Sequence, residues 1–259
     1  MVSTYIQNFK KFRPLLNELI ARDIKTKYRR SILGVLWTIL NPLFMMIVLS
    51  VVFSNLFKFD IEYFPVYLLS GQLIFNFFSE STTNAMGAII MNGPLIKKIY
   101  VPKYMFVLSR IFSSSINLLA SFTALLCVML AMRVELHYTV LLVSIPLILI
   151  ILFSLGIGLI LSAITVKFRD IMHLYSVFTT ALMYLTPVIY PMSILPEWLK
   201  KIVMINPITN ILIMFRDVMI YGRVPNILSV LLGVVEVIVA LATGLYVFYK
   251  NQDSFILNI

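Results

Sequence analysis

Long apolar runs separated by short polar connections make up most of the chain. Six of these runs are long enough to cross a bilayer, since a helix rises about 1.5 Å per residue and the hydrocarbon core is about 30 Å thick. Their approximate limits are 31–56, 64–91, 105–132, 138–166, 171–190 and 226–249. The pattern therefore predicts an all-α integral membrane protein with six transmembrane helices.

Residues 1–30, which precede the first span, show a different pattern. Apolar side chains recur at every fourth position, at Leu16, Ile20, Ile24 and Tyr28, while basic residues occupy the other faces. This pattern is typical of an amphipathic helix that lies in the headgroup plane with its cations near anionic lipid. A solvated charged leader is the alternative.

The connection between the second and third spans is too polar to cross a bilayer and too apolar for a plain solvated loop. A first helical turn after Pro94 would place Leu95, Ile96 and Ile99 on one face, with the two lysines that follow Ile96 turned away. This predicts a short amphipathic helix at a membrane surface or in the groove of a partner. A connector whose lysines only mark the cytoplasmic side is the alternative.

The segment 191–222 carries too many charges to be one clean span. Two amphipathic stretches, 198–205 and 208–220, are separated by Asn206-Pro207. We interpret them as short helices that dip into the outer leaflet as a re-entrant hairpin. A sixth and a seventh span are the alternative, which the cost of charges at membrane depth disfavours.

The composition supports a membrane protein, and the distribution of its basic residues predicts how it is oriented in the membrane. The chain is 61% hydrophobic and only 12% charged, with a mean hydropathy of +0.98. If the N-terminus lies inside, 15 of the 21 Lys and Arg residues fall in inner segments and 6 in outer segments. This bias predicts a multi-pass protein of the cell inner (plasma) membrane with both termini in the cytoplasm. The net charge of +10 then reflects orientation near membrane lipid, and no nucleic-acid partner is expected.

No motif indicates catalysis. The sequence contains no Walker A, H-E-x-x-H or G-x-S-x-G pattern. His137 and His173 lie at opposite ends of the fourth-span region, and Cys127 is the only cysteine. We therefore predict that the chain is not an enzyme and that it holds no metal or cofactor of its own.

Two carboxylates, Glu80 and Glu236, fall near the middle of predicted spans, with no Lys or Arg expected at their depth to pair with them. A carboxylate inside a membrane is a candidate functional group. It could couple protons, contact substrate, or be a protonated acid bonded to neighbours such as Asn117. The sequence favours the last interpretation, and a proton-coupled secondary carrier is the alternative.

Several aromatic residues lie inside spans rather than at their ends: Trp37, Phe44, Tyr175, Phe178 and Tyr184. Exposed rings along a path would let sugars slide by stacking, without a tight site. Together with Glu80, these residues are the candidates for a translocation path. Packing against lipid or core is the alternative for each ring.

Five segments, taken in order, resemble the ABC-2 type permeases that export bacterial surface polysaccharides. They are RDIKTKYRRSILGVLWTILNPL (22–43), GQLIFNFFSES (71–81), NGPLIKKIYVPKYMFVLSR (92–110), YLTPVIYP (184–191) and INPITNILIMFRDVMIYG (205–222). Such permeases are the membrane subunits of O-antigen, capsule and teichoic acid exporters. The likeness covers nearly the whole chain, and the order of the segments is more specific than any one of them.

The resemblance implies a homodimer that binds two copies of a separate ABC ATPase, where ATP and Mg²⁺ would be held. It implies a lipid-linked polysaccharide substrate, O-antigen first among the candidates, moving through a channel at the homodimer interface. The leader would be the interfacial helix, and 191–222 the short helices at the outer mouth. The coupling helix would comprise Pro94, Leu95, Ile96, Lys97, Lys98, Ile99, Tyr100 and Pro102. Export of teichoic acid, capsule, a drug or a small lipid is the alternative.

Overall fold

The computed structural model describes residues 2–29, 31–57 and 61–258, and every regular element within these ranges is a helix. In chain order the α-helices are α1 (Val2–Tyr28), α2 (Trp37–Phe57), α3 (Phe64–Met86), α4 (Ala88–Met91), α5 (Gly93–Ile96), α6 (Tyr104–Ala131), α7 (Ser144–Lys167), α8 (Ile171–Leu185), α9 (Glu197–Ile205), α10 (Pro207–Met219), α11 (Ile227–Asn251) and α12 (Phe255–Asn258). The predicted all-α class is confirmed.

Within the described residues, three helical segments are long and apolar enough to cross a membrane: Tyr104–Ala131, Tyr138–Lys167 and Ile227–Asn258. They coincide with the third, fourth and last predicted spans. The bent pair α9–α10 meets the same criteria as a unit and would add a fourth. In the part of the chain that the structure describes, the apolar helices of the first and fifth predicted spans are shorter, so the count of six stays a prediction.

The fifth predicted span, 171–190, is helical only as far as Leu185. Thr186 is extended, with φ −101° and ψ 135°, because a residue that precedes proline avoids the helical region. A helix of 15 residues covers about 22 Å, which is less than the hydrocarbon core. α8 is therefore shorter than its apolar pattern predicts.

The two short helices predicted on either side of Asn206-Pro207 are confirmed as α9 and α10. Their axes differ by 93°. The side chain of Asn206 accepts a hydrogen bond from the backbone N–H of Ile208, and Pro207 occupies the first helical position. This cap starts a new helix at the break instead of letting α9 continue.

α1 packs on the rest of the protein. Leu16 and Leu19 are buried in a cluster that includes Ile89, Phe106 and Phe255. The face predicted to be apolar therefore meets protein side chains of α6 and its neighbours, in addition to any membrane surface.

A buried arginine joins α10 to α3 and to the turn after α8. Arg216 donates hydrogen bonds to Ser70 Oγ at 3.1 Å and to three carbonyl oxygens, those of Tyr67, Pro187 and Val188, at 3.1, 2.7 and 3.0 Å. Its guanidinium lies 3.4 Å from the centroid of the Tyr67 ring. These acceptors and the ring compensate for the loss of water around a buried cation.

Helices α7 and α11 touch through their backbones. A Cβ atom added at Gly244 would lie 2.4 Å from the carbonyl oxygen of Gly156, and one added at Gly156 would lie 2.5 Å from the carbonyl carbon of Ala240. Small residues at such a crossing let two apolar helices approach closely, which is how helices associate where lipid removes the hydrophobic driving force.

We predict that Gly156→Ala lowers the melting temperature of the purified protein. The new methyl group must push α7 away from the backbone of α11, and overpacking of this kind costs about 1–3 kcal/mol. Gly87→Ala is the matched control, because its Cβ would meet nothing nearer than Met91 Sδ at 3.4 Å. Equal melting temperatures for the two variants would contradict this account of the contact.

Candidate functional site

A polar cleft lies between α2, α3 and α6, at the end of α1. Its volume is about 720 Å³. The polar side chains that line it are Lys27, Thr38, Asn41, Asn76, Ser79, Glu80, Thr83, Asn84, Asn117 and Ser121. In a chain that is 61% hydrophobic, this concentration of polar groups marks the cleft as the candidate site.

Helical periodicity builds the cleft. On α3, Asn76, Glu80 and Thr83 recur at intervals of three and four residues and so share one face. On α6, Asn117 and Ser121 are four residues apart and face them. The polar stretches that look like interruptions in two apolar runs are therefore the two facing walls of one cleft.

Glu80 forms the centre of this cleft. Its Oε1 lies 2.8 Å from Lys27 Nζ and accepts a hydrogen bond of 2.8 Å from Asn117 Nδ2. The side chains of Lys27 and Glu80 are 48% and 36% exposed, so water screens the pair. The contact joins α1, α3 and α6.

The expectation that no Lys or Arg would lie at the depth of Glu80 is wrong. That expectation treated residues 1–30 as a surface leader, separate from the spans. Instead α1 continues to Tyr28, and its last turn brings Lys27 to α3. The expected neighbour Asn117 is confirmed as a hydrogen-bond donor to Glu80.

A second polar cluster extends the cleft toward the middle of α1. Asp23 lies 3.1 Å from Arg22 and 3.3 Å from Arg110, and Arg22 also donates to Asn92 Oδ1 at 3.0 Å. These residues line a recess of about 490 Å³ that shares Glu80 with the main cleft. One continuous polar surface therefore runs from α1 and α6 to α2 and α3.

The residues predicted to form the coupling helix differ in how far they are exposed. α5 ends at Ile96, and backbone hydrogen bonds from the N–H groups of residues 98 and 99 to the carbonyl of Leu95 add part of another turn. Ile96 is buried and Leu95 is half-buried, whereas Ile99 is 46% exposed and Tyr100 is 92% exposed. Lys97, Lys98 and Pro94 are exposed and Pro102 is half-buried.

The six residues predicted to line a translocation path lie in different parts of the structure. Trp37 and Glu80 line the polar cleft, and Phe44 is exposed on α2. Tyr175 is buried, and its hydroxyl donates to Thr82 Oγ1 at 2.7 Å, which fixes α8 against α3. Phe178 and Tyr184 are exposed on α8. Tyr175 and Phe178 border a different, apolar recess of about 330 Å³.

Glu236, the other intramembrane carboxylate, is not part of this cleft. It lies on α11 beside Asn210 of α10. Its Oε2 is buried, with no hydrogen-bond partner in the described ranges. The two carboxylates therefore belong to separate places in the fold.

Sequence reasoning missed Lys27 and Arg216 as residues that hold the polar sites together. Lys27 was one of the basic residues in the segment 1–30, and Arg216 was one of several charges in the predicted hairpin. A signal existed for Arg216, since it is a single cation in the apolar stretch ILIMFRDVM of a helix. Local sequence could not supply the contact of Lys27 with Glu80 or that of Arg216 with Ser70, which join residues 53 and 146 positions apart along the chain.

Comparison with known proteins agrees with this architecture. The ABC-2 type transporter family model matches residues 14–220. The O-antigen export system permease proteins RfbA of Klebsiella pneumoniae and Myxococcus xanthus are each 27% identical to this chain, over 248 and 252 residues. These alignments cover 93% and 96% of this chain, and 93% and 97% of the relatives.

A third relative, the polysialic acid transport protein KpsM of Escherichia coli, is 25% identical over 241 residues, which is 91% of this chain and 93% of the relative. The family match includes the second half of α1, the polar cleft, the bent pair α9–α10 and the segment from Pro94 to Pro102 that is predicted to couple to an ATPase. The chain belongs to the ABC-2 type transporter family.

Proposed function

We propose that this chain is the permease subunit of an ATP-driven exporter that moves a lipid-linked polysaccharide out of the cytoplasm across the inner (plasma) membrane. The observation that carries the proposal is the polar cleft between α2, α3 and α6, which gives hydroxyl-rich sugars a wall of amide, hydroxyl and charged groups. The near full-length relatives named for polysaccharide export favour this substrate class, with O-antigen first and capsule second.

The channel lies between two copies of the chain. Asn41, Asn76, Thr83 and Asn84 are exposed along the cleft. Polar groups facing lipid are costly, since hydrocarbon offers them no hydrogen bonds. A second copy placed opposite this face encloses the polar groups in a water-filled path. Each copy contributes six spans and keeps both termini in the cytoplasm.

Energy enters through the segment from Pro94 to Pro102, which docks on the ATPase that binds ATP and Mg²⁺, with two ATPase copies per permease dimer. Lys97, Lys98, Ile99 and Tyr100 offer the exposed contact surface. Motion of this segment reaches α1 through two contacts. Ile96 packs in the core cluster that also holds α1, and Asn92 accepts a hydrogen bond from Arg22 of α1. α1 then carries this motion to Glu80 through Lys27.

The direct test is a deletion strain. Loss of the gene should remove polysaccharide from the cell surface and leave lipid-linked polymer inside, and the wild-type chain should restore surface staining. Unchanged surface polysaccharide in the deletion strain would refute the proposed function.

Tyr100→Asp should reduce the amount of ATPase that co-purifies with the permease, without lowering the melting temperature. Tyr100 is 92% exposed, so a carboxylate there costs the permease fold little while it disrupts an apolar docking contact. Tyr138→Asp is the matched control, since Tyr138 is also exposed, at 78%, and lies on the opposite side in the predicted topology. Normal ATPase recovery with Tyr100→Asp would show that this segment does not dock.

Exchanging the charges of Lys27 and Glu80 tests whether export depends on the ion pair itself or only on one of the two side chains. Lys27→Glu places two carboxylates together and should reduce export several-fold, as should Glu80→Lys, which joins two cations. The double exchange restores opposite charges and should recover much of the export, measured as surface polysaccharide. Additive losses in the double variant would show that the pair is not coupled.

Substituting both intramembrane acids separates ATP-driven export from a proton-coupled carrier. Glu80→Gln with Glu236→Gln removes both titratable carboxyl groups and keeps amides able to hydrogen-bond. We expect export that is reduced but still requires ATP. Complete loss of export by a well-folded double variant that still binds and stimulates the ATPase would favour the proton-coupled mechanism.

A further inference from the structure

A second polar cavity lies at the other end of α3 from Glu80. It has a volume of about 570 Å³, within the range of about 300–1,000 Å³ that is typical of small-ligand sites. The side chains that give it its character are Glu62, Tyr63, Tyr67, Lys200, Asp217 and Tyr221. On a straight helix, the 17 residues from Tyr63 to Glu80 correspond to about 25 Å, so this cavity is separate from the cleft.

The lining combines aromatic rings with hydrogen-bond donors and hydrogen-bond acceptors. A sugar ring has an apolar face of C–H groups, which packs on the electron-rich face of an aromatic ring. Its hydroxyl groups donate to carboxylates and accept from ammonium and phenol groups. Three tyrosines beside Glu62, Asp217 and Lys200 supply all of these partners in one cavity.

One wall of the cavity is fixed in place. The Tyr67 ring is covered on one side by the guanidinium of Arg216 at 3.4 Å, and its hydroxyl donates to the carbonyl of Tyr190 at 3.0 Å. Arg216 in turn is held by Ser70 and backbone carbonyls. A prearranged wall reduces the entropy that a ligand loses on binding.

Tyr63 occupies an unusual backbone conformation at the rim. Its φ of 52° and ψ of 48° are left-handed, which residues with a Cβ atom rarely adopt. The charge of the neighbouring Glu62 carboxylate, and a hydrogen bond to it, raise the pKa of the Tyr63 phenol. This bond holds the Glu62 carboxylate beside the Tyr63 side chain in the lining of the cavity.

The cavity is formed from two segments that are distant in sequence but predicted on the same side of the membrane. In the topology that the charge bias predicts, residues 61–63 and 191–221 of its lining are outer segments, and Tyr67 lies near the outer end of the second predicted span. By contrast, the recess around Arg22, Asp23 and Arg110 is lined by segments predicted inside or near the inner surface. This sorting places the cavity at the outer mouth.

We propose that this cavity is a saccharide subsite, which binds one or two sugar residues of the exported chain as it leaves the membrane. The inference rests on the proposed function, because it names a contact of the same substrate at the exit. Tyr221, which is 47% exposed, stacks on the sugar, while Glu62 and Asp217 accept hydrogen bonds from its hydroxyl groups.

The test uses the complete permease–ATPase complex in lipid nanodiscs. The probe is the host strain's own surface polysaccharide, released from lipid by mild acid, cut to short oligosaccharides and labelled with a fluorophore. Fluorescence polarisation should show saturable binding to the wild-type complex. Tyr221→Ala should weaken binding by up to about tenfold through loss of the stacking ring.

Three further variants make the result specific. Tyr221→Phe keeps the ring and should bind within about threefold of wild type, since only one hydroxyl is lost. Glu62→Gln should weaken binding by an independent route, which keeps the test open if Tyr221→Ala fails to fold. Tyr138→Ala, an exposed tyrosine on the same predicted side but outside this cavity, should bind like wild type.

Absence of saturable binding by the wild-type complex, or equal binding by wild type, Tyr221→Ala and Glu62→Gln, would overturn the subsite. The deletion strain separates this failure from failure of the proposed function. If the wild-type chain restores surface polysaccharide while its complex does not bind the probe, only the subsite is wrong. If the deletion leaves surface polysaccharide unchanged, the proposed function itself is wrong.

Discussion

The contact between Glu80, Lys27 and Asn117 is the interaction on which the rest of the arrangement depends. It joins the last turn of α1 to α3 and α6, and these helices form the polar cleft. Because the pair is partly exposed, its contribution to stability is small, about 1 kcal/mol or less. Its importance lies in its position, because a weak contact that joins three helices can be broken and remade when one of them moves.

The polar contacts of Arg216 differ from those of Glu80 because they are buried. Its guanidinium is buried and is bound by four oxygens and an aromatic ring, so removal of one partner leaves a desolvated charge that is less fully compensated. Gly71 makes room for it, since a Cβ at that position would lie 2.8 Å from Arg216 Nη2. The α10 end of α3 is therefore held by a buried cation with five partners, and the α1 end by a partly exposed ion pair. This asymmetry fits the proposed function, in which the α1 end receives motion from the ATPase and the polymer leaves at the α10 end.

The sequence was sufficient where a pattern is local. Apolar length located the third, fourth and last spans, and Asn206-Pro207 located the break between α9 and α10. It was insufficient where the partner is distant along the chain. Periodicity could not show that Ile96 packs in the core while Ile99 is exposed, that Tyr175 is bonded to Thr82, or that Lys27 reaches Glu80. The end of α8 at Leu185 did have a local signal, since Thr186 precedes a proline, but the length of the apolar run alone does not show it.

The central claim is that this chain moves lipid-linked polysaccharide when a separate ATPase hydrolyses ATP. The most direct measurement uses vesicles that contain the permease, its ATPase and the lipid-linked polymer on the side where the ATPase binds. A glycosidase or lectin on the opposite side reports polymer that has crossed. The account predicts polymer exposure that requires ATP and stops in a variant ATPase unable to hydrolyse it. Exposure driven by a proton gradient without ATP, or none in the complete system, would contradict the account.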